Sequence, residues 1–189
     1  MAKGMKTAAL TLLMLLPGLA LADCFRADQD DGELKFVGVA EGNRFTGTFG
    51  EFSVTLCMDE RDLTTAGIEV VVKTASADTG DSQRDSELHG ENFFHVEEFP
   101  EATWKSDDVS ADGDGVVAEG ELKLRGVSAS QPVRLNLSDE DVPVLSGSAE
   151  IMRLDWNVGT GDEDFEDTDF IRNRVDLEFE LQLQPYSKG

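Results

Sequence analysis

Both histidines of the chain and three of its eleven phenylalanines fall within RDSELHGENFFHVEEFP, residues 84 to 100. Imidazoles together with carboxylates from Asp85 or Glu91 would form a ligand set for a transition metal. His89 and His95 are six residues apart, however, and this spacing does not place them on one face of a helix. We therefore interpret the stretch as a connecting segment with solvated histidines, whose phenylalanines cover an apolar interior.

A second candidate for chemistry is SADGDGVVAEGE, residues 110 to 121, which approaches the calcium-loop pattern. Asp112, Asp114, Gly115 and Glu121 match positions 3, 5, 6 and 12 of that pattern, but Ser110 replaces the first aspartate. An EF-hand also requires a helix on each side, whereas a strand pattern follows this segment at once. The Asp-Gly repeat instead predicts a hairpin turn, and we expect no metal site.

Catalytic motifs are not found in the sequence. A G-x-S-x-G elbow, an HExxH pair, a phosphate loop and a thiol beside a histidine are all absent. Carboxylates are so abundant that a pair of them has no diagnostic value for acid-base catalysis. The densest acidic run, GDEDFEDTDF, residues 161 to 170, is expected to be a solvated loop in which Phe165 and Phe170 fold back over a cavity mouth.

Alternation of apolar and polar residues along most of the chain predicts strands with one face toward an apolar interior. In RVDLEFELQLQ the inward residues are Val175, Leu177, Phe179, Leu181 and Leu183. The same pattern occurs in seven further segments: GELKFVG, NRFTGTFGEFSVTL, GIEVVVKTAS, ATWKSDDVS, GVVAEGELKLRG, PVRLNL and SGSAEIMR. Short helical turns are expected near ERDL and QRDSELHGENFF. About eight strands without a long helix indicate an antiparallel sandwich or a closed barrel.

Residues 1 to 22 have the pattern of a secretory signal peptide. Lys3 and Lys6 precede an apolar run, and Ala20-Leu21-Ala22 provides a small-x-small cleavage site. We expect a periplasmic protein that begins at Asp23, with residues 23–189 as one domain. Cys24 allows a second interpretation, as the lipidated cysteine of a lipoprotein, although Asp23 stands where such signals have glycine or alanine.

Charge excludes one class of partner. Removing Lys3 and Lys6 leaves 14 of the 16 basic residues against 39 acidic ones, a net charge near −25. Nucleic acid is excluded because binding its phosphates requires a basic surface. An acidic excess spread along the whole chain is typical of a surface adapted to high salt, where screening weakens self-repulsion.

The two cysteines, in a chain expected to be exported, predict a Cys24–Cys57 disulfide. The alternative is a pair of free thiols. A disulfide here would be structural rather than catalytic, because no CxxC motif accompanies it.

Six motifs follow one another in an order and spacing known from one protein family. They are F-x-G-x-F-x-x-F from Phe45 to Phe52, Asp62-Leu63, T-G-D-x-x-R-D-x-x-L from Thr79 to Leu88, FF-x-V-x-x-FP-x-A from Phe93 to Ala102, G-x-L-x-L-x-GV from Gly120 to Val127 and R-x-D-W-x-V-G from Arg153 to Gly159. Over residues 33 to 183 the chain resembles the YceI-like family of exported lipid-binding proteins. Four positions depart from the family pattern: Gly32-Glu33 replaces a His-Ser pair, Asn157 replaces a glycine, and His95 replaces an acidic residue.

The resemblance implies an all-β fold, an eight-stranded antiparallel lipocalin-like barrel with one or two short helical turns. It also implies a non-catalytic carrier whose long apolar cavity holds a polyisoprenoid or quinone-type lipid, with no other cofactor. The chain looks closest to shorter family members found with membrane b-type cytochromes, which suggests such a cytochrome as a partner. A homodimer through an edge strand stays open.

Inward parity and aromatic size give the cavity-lining candidates. They are Phe36, Phe45, Phe49, Phe52, Phe93, Phe94, Trp104, Leu122, Trp156 and Phe179. Small residues at Gly47, Ala118 and Gly120 are expected to leave room along the barrel axis. The alternative function is a hydrolase or isomerase acting on a hydrophobic substrate in the same cavity. Inward polar groups with perturbed pKa values would favour the enzyme, and a uniformly apolar tunnel would favour the carrier.

Overall fold

The computed structural model describes residues 22–187, which form an all-β protein with twelve strands in one antiparallel sheet. The strands are β1 Asp23–Asp28, β2 Gly32–Ala40, β3 Asn43–Phe49, β4 Phe52–Asp59, β5 Asp62–Lys73, β6 Ala77–Asp78, β7 Glu101–Asp112, β8 Gly115–Leu124, β9 Val127–Leu137, β10 Val144–Met152, β11 Arg174–Gln182 and β12 Gln184–Pro185. The helices are α1 Ser82–His89, α2 Glu163–Glu166 and two 3₁₀ turns, Thr74–Ser76 and Arg153–Trp156. The expected signal segment lies outside the described residues, apart from Ala22. No helix within residues 22–187 is long and apolar enough to cross a membrane.

The sheet curls back on itself. Its strand order is β12-β1-β4-β5-β7-β8-β9-β10-β11-β2-β3-β6. β6 follows β5 after a single 3₁₀ turn, so the segment that pairs with β4 and β7 goes on to pair with β3 at the far end of the order. The lipocalin-like barrel expected from the resemblance is confirmed, with the curl closed through the short strand β6.

The strand count differs from expectation, with twelve strands instead of eight. The segment NRFTGTFGEFSVTL is two strands because the chain bends at Gly50-Glu51, where Gly50 N donates to Ser76 O and Glu51 O accepts from Lys73 N. The inward stripe changes parity there, from Phe49 to Phe52. The other additions are β1, β6 and β12. The strands β6 and β12 have two residues each and are too short for a visible alternation.

Two of the expected turns have different outcomes. The helical turn predicted at ERDL is wrong: Glu60 and Arg61 have φ values of 50° and 62° and form the two-residue loop of the β4–β5 hairpin. The hairpin predicted within SADGDG is confirmed, since Asp112 pairs with Gly115 and Gly113 has φ of 63°. The predicted helical turn near residue 84 is α1.

Inward residues of several strands are only half-buried, and this shows where the interior is hollow. Val70, Ile151 and Leu177 have the inward parity of their strands, yet each keeps some accessible surface. Leu56 and Leu183, by contrast, are fully buried. The accessible surface of the half-buried residues faces an internal cavity, because all three line it.

The structure contains the Cys24–Cys57 disulfide. The two cysteines lie opposite each other on β1 and β4, with Cα atoms 4.0 Å apart, and no described cysteine is free. Because the Cys24 Sγ belongs to the disulfide, it is not available for the thioether of a lipoprotein. The bond joins β1 to the sheet across 33 positions of sequence.

We expect iodoacetamide to label neither cysteine of the unfolded, unreduced protein, whose intact mass should be two hydrogens below the dithiol form. Removing the bond with Cys24→Ser and Cys57→Ser together should lower the free energy of unfolding by about 3–4 kcal/mol, because the unfolded chain loses a constraint. Urea unfolding measures this change. Full labelling of both cysteines without reductant would show that the protein does not contain the disulfide.

Candidate functional site

Two adjoining apolar cavities run through the barrel interior. The first, here called the Gln131 cavity, has a volume of about 110 Å³, and the second, the phenylalanine cavity, has about 150 Å³. The two share a waist of six lining residues, namely Leu34, Val72, Ala102, Leu122, Ile151 and Leu177. Apolar cavities of about 150 Å³ stay dry and bind small apolar molecules.

The phenylalanine cavity takes its character from a row of aromatic rings. Phe36 lies between Phe45 and Phe49, with ring centroids 6.5 and 5.1 Å away, and Phe49 lies 6.1 Å from Phe94. Phe93 also lines this cavity. Such tilted and edge-to-face pairs are favourable arrangements of aromatic rings, and they hold the rings of this wall against one another.

Nine of the ten predicted lining residues line the cavities. Phe52, Trp104 and Phe179 lie at the Gln131 cavity, and Leu122 lies at both. Phe36, Phe45, Phe49, Phe93 and Phe94 lie at the phenylalanine cavity. Trp156 lines neither: it is 2% exposed, and its indole Nε1 donates to Leu122 O at 3.1 Å, behind the wall. Whether these residues bind a ligand stays a prediction.

Glycines of the inward stripes do not widen the interior, contrary to expectation. A Cβ on Gly47 would lie 2.3 Å from Cζ of Phe36, and one on Gly120 would lie 2.5 Å from Cε2 of Trp104. The aromatic rings therefore lie flat over the backbone at these glycines. The glycines set the position of the aromatic wall, and the empty space lies beyond the rings.

The segment from Thr79 to Phe94 covers one end of the phenylalanine cavity. Asp81 caps α1 by accepting from Gln83 N and Arg84 N at 3.0 and 3.1 Å. Asp85 accepts from both Thr79 N and Thr79 Oγ1, at 2.8 and 2.6 Å, and these hydrogen bonds lower the pKa of its carboxyl. With the turn fixed in this way, α1 places Leu88 at the cavity, and Phe93 and Phe94 follow.

Side chains of this segment that had suggested chemistry have structural partners. Arg84 stacks 4.6 Å above the Phe45 ring and lies 3.8 Å from Asp81. His89 Nε2 lies 3.0 Å from Ala77 O, and His95 Nδ1 lies 3.3 Å from Glu98. Within residues 22–187 no group of three or more His, Cys, Asp or Glu side chains is placed to hold a metal ion.

Arg153 is the most highly connected side chain at this end of the barrel, and sequence reasoning did not assign it a role. It is 3% exposed, and its five N–H groups donate to five backbone carbonyls at 2.5 to 3.2 Å. These acceptors are the carbonyls of Val158, Gly159, Phe165, Ile171 and Arg172. Burial lowers the pKa of the guanidinium and Glu166 acts in the opposite direction, but arginine keeps its charge in proteins. The Arg153 hub therefore ties together the chain between β10 and β11.

The acidic run within this loop is partly ordered by α2. Phe165 packs on Phe93, a lining residue of the phenylalanine cavity, with ring centroids 5.1 Å apart, but it lines neither cavity itself. Phe170 remains 36% exposed, and the prediction that it folds back over a cavity mouth is wrong. Asn157, which replaces a family glycine, has φ of 56°, a left-handed conformation that asparagine tolerates better than most residues.

The chemistry of the lining is simple. Neither cavity is lined by an aspartate, glutamate, histidine, cysteine, lysine, serine or tyrosine. The polar lining residues are Thr74, Thr103, Gln131, Arg153 and Arg172. Thr74 Oγ1 donates to Phe99 O, and the hub occupies every donor of Arg153. The arrangement can enclose an apolar chain, and it lacks an acid, a base or an activated nucleophile at its surface.

Known proteins share this sequence pattern. A family model described as the YceI-like domain matches residues 25–183. A UPF0312 protein of Yersinia pestis (strain Pestoides F) is 32% identical over 133 residues, which are 67% of this chain and 67% of that protein. A UPF0312 protein of Photorhabdus laumondii is 37% identical over 90 residues, 48% of this chain and 46% of that one.

Solved structures share the fold. BcnA of Burkholderia cenocepacia superposes with a TM-score of 0.77 at 22% identity, over 84% of this chain and 99% of that one. A polyisoprenoid-binding domain of Saccharophagus degradans superposes with a TM-score of 0.64 at 18% identity, over 85% of this chain and 98% of that one. At these identities the likeness concerns the fold alone.

Proposed function

This chain belongs to the YceI-like family, and we propose that it is a non-catalytic binding protein that holds a polyisoprenoid or quinone-type lipid in its joined cavities. The observation that carries the proposal is the apolar lining on both sides of the waist. An isoprenoid tail offers only hydrocarbon groups, and such a lining satisfies all of them. The polyisoprenoid-binding domain of Saccharophagus degradans, named for that property, shares the fold.

The energy of burial is sufficient for stable binding. Each methylene transferred from water to the cavity contributes about 0.8 kcal/mol, so a few isoprene units outweigh the entropy lost on association. The rigid aromatic row reduces the cost of ordering the protein around the tail. A tail that spans the waist would contact both cavities and gain from each.

The alternative, a hydrolase or isomerase, has less support. Either reaction needs an acid, a base or a nucleophile close to the substrate. Among the described residues that line the cavities, the charged ones are Arg153 and Arg172, and Arg153 is bonded throughout to backbone carbonyls. Periplasmic location and a membrane b-type cytochrome as partner are parts of the proposal that rest on the signal pattern and the family resemblance.

The proposal is tested by extracting the protein with organic solvent after purification from its native export compartment. Mass spectrometry should find about one prenyl lipid or quinone per chain, because burial on this scale resists loss into aqueous buffer. Protein that is unfolded, stripped and refolded serves as the blank. If the native protein gives no more lipid than the blank, and the refolded protein does not take up added prenyl lipid, the carrier function is wrong.

A further inference from the structure

Gln131 interrupts an otherwise apolar inward stripe. On β9 the inward positions are Val127, Ala129, Gln131, Val133, Leu135 and Leu137. Gln131 is 5% exposed and lines its cavity among aliphatic and aromatic side chains. A buried amide in such a place is expensive unless its polar atoms have partners.

Hydrogen bonds fix which way the amide points. Gln131 Nε2 donates to Pro132 O at 2.9 Å and to Glu150 O at 3.2 Å, so both N–H groups are used. The Glu150 bond spans a gap in the sheet, since β9 and β10 pair only from Arg134 to Leu137. Carbonyl oxygens accept and do not donate, so the nitrogen cannot exchange places with the oxygen.

The amide oxygen is left as a free acceptor. None of the hydrogen bonds among residues 22–187 ends on Gln131 Oε1. No buried side-chain oxygen or nitrogen in that range lacks a partner, so Oε1 must keep contact with open space. The open space that Gln131 lines is the cavity.

The backbone at this position is held as firmly as the side chain. Trp104 Nε1 donates to Gln131 O at 2.9 Å, and the indole of Trp104 lines the same cavity beside it. Both the carbonyl and the amide of Gln131 are thus placed by neighbours that do not depend on a ligand. A fixed acceptor beside a flat aromatic surface suits a polar head group that has one apolar face.

We propose that Gln131 Oε1 accepts a hydrogen bond from a hydroxyl group of the lipid, so that the bound species is a prenyl alcohol or the quinol form of a quinone, with its head inside the barrel. The inference rests on the proposed carrier function and specifies its ligand. An acceptor oxygen cannot bond to an ether, an ester or a quinone carbonyl, because those groups offer no hydrogen. The tail then passes the waist into the phenylalanine cavity.

The test compares ligand pairs in which one member carries hydroxyl donors on its head group and the other carries none. Binding of geranylgeraniol and of its methyl ether to the lipid-free full chain is followed by tryptophan fluorescence, because Trp104 lines the cavity. The wild type should prefer the alcohol by about tenfold, the effect of one buried hydrogen bond. A second pair, a short-tailed ubiquinol and its quinone under anaerobic conditions, distinguishes a quinol ligand from a prenol ligand.

Variants then test whether Gln131 is the residue that accepts the hydrogen bond from the ligand hydroxyl. Gln131→Met should bring the alcohol-to-ether preference close to one while leaving the ether bound. Ser130→Met, which places the same side chain at the exposed neighbouring position, should keep the preference. The ratio of the alcohol affinity to the ether affinity is taken within each variant, so a substitution that weakens both affinities equally does not change it. The comparison of the two ligands on the wild type needs no variant and is valid even if a variant does not fold.

The outcomes distinguish a failure of the hydroxyl assignment from a failure of the carrier function. Equal binding of both members within each pair by the wild type overturns the hydroxyl assignment and leaves the carrier function standing. A preference that survives in Gln131→Met overturns the role of Gln131. If neither member of either pair binds, the carrier function itself is wrong.

Discussion

Replacing Arg153 with methionine should lower the free energy of unfolding by about 3–5 kcal/mol, because several backbone carbonyls lose the donor that satisfies them. Methionine fills a similar space but removes the donor of five backbone carbonyls, of which those of Val158 and Gly159 are buried and the other three are half-buried. Each unsatisfied group adds a desolvation penalty of about 1–3 kcal/mol, reduced where the loop relaxes toward water. Urea unfolding followed by circular dichroism measures the change.

Two further variants separate geometry from charge. Arg153→Lys keeps the positive charge but offers three donors in place of five, so it should recover only part of the loss. Arg44→Met, at an exposed position of β3, should change stability by less than about 0.5 kcal/mol. A loss below about 1 kcal/mol for Arg153→Met, or full rescue by lysine, would show that the hub does not hold the loop.

The second large effect concerns the waist between the cavities. Leu122→Asp should reduce lipid recovered per folded chain by at least about a hundredfold, because an ionised carboxylate at an apolar contact costs several kcal/mol. Leu122 touches both cavities, so the charge would face any tail that passes between them. Extraction and mass spectrometry of the purified variant give the lipid content, and circular dichroism gives the folded fraction.

Two further variants accompany Leu122→Asp: an uncharged substitution that fills the waist and a control substitution on the exposed surface. Ala102→Phe fills the same waist without charge and should also exclude the tail, provided that it folds. Glu178→Ala, on the exposed face of β11 next to the lining residue Leu177, should retain the full lipid content. Normal lipid content in folded Leu122→Asp would place the ligand elsewhere.

Period-two alternation predicted most of the cavity wall because parity along a strand decides which side chains face inward. Trp156 escaped this rule since it lies in the 3₁₀ turn after β10, where strand parity no longer applies. Phe49 and Phe52 both face inward only because the chain bends between them. Family motifs located these residues along the chain, but the bend itself depends on contacts with Lys73 and Ser76.

The polar features of the site were harder to predict. Arg153 binds carbonyl oxygens, which every residue has, so its partners leave no mark in the sequence. Gln131 was visible as the polar member of the stripe VSASQPVRLNL, and its inward parity was a usable signal. What the sequence lacked was the gap between β9 and β10 that gives its nitrogen an acceptor at Glu150.

The pairing of β3 with β6, here called the joint, closes the curled sheet and determines where the barrel can open locally. β3 meets β6 through two residue pairs, Thr48 with Asp78 and Phe49 with Ala77, whereas β8 and β9 share nine. Local opening is easiest where the fewest contacts must break, so amide protons at this joint should exchange with solvent far sooner than those of the long ladders. The joint lies beside Phe49, and its opening would lengthen the circumference at the aromatic wall. The rate at which a bound ligand dissociates would then depend on how often this short strand pair opens. It would be largely independent of the free energy of unfolding of the whole barrel.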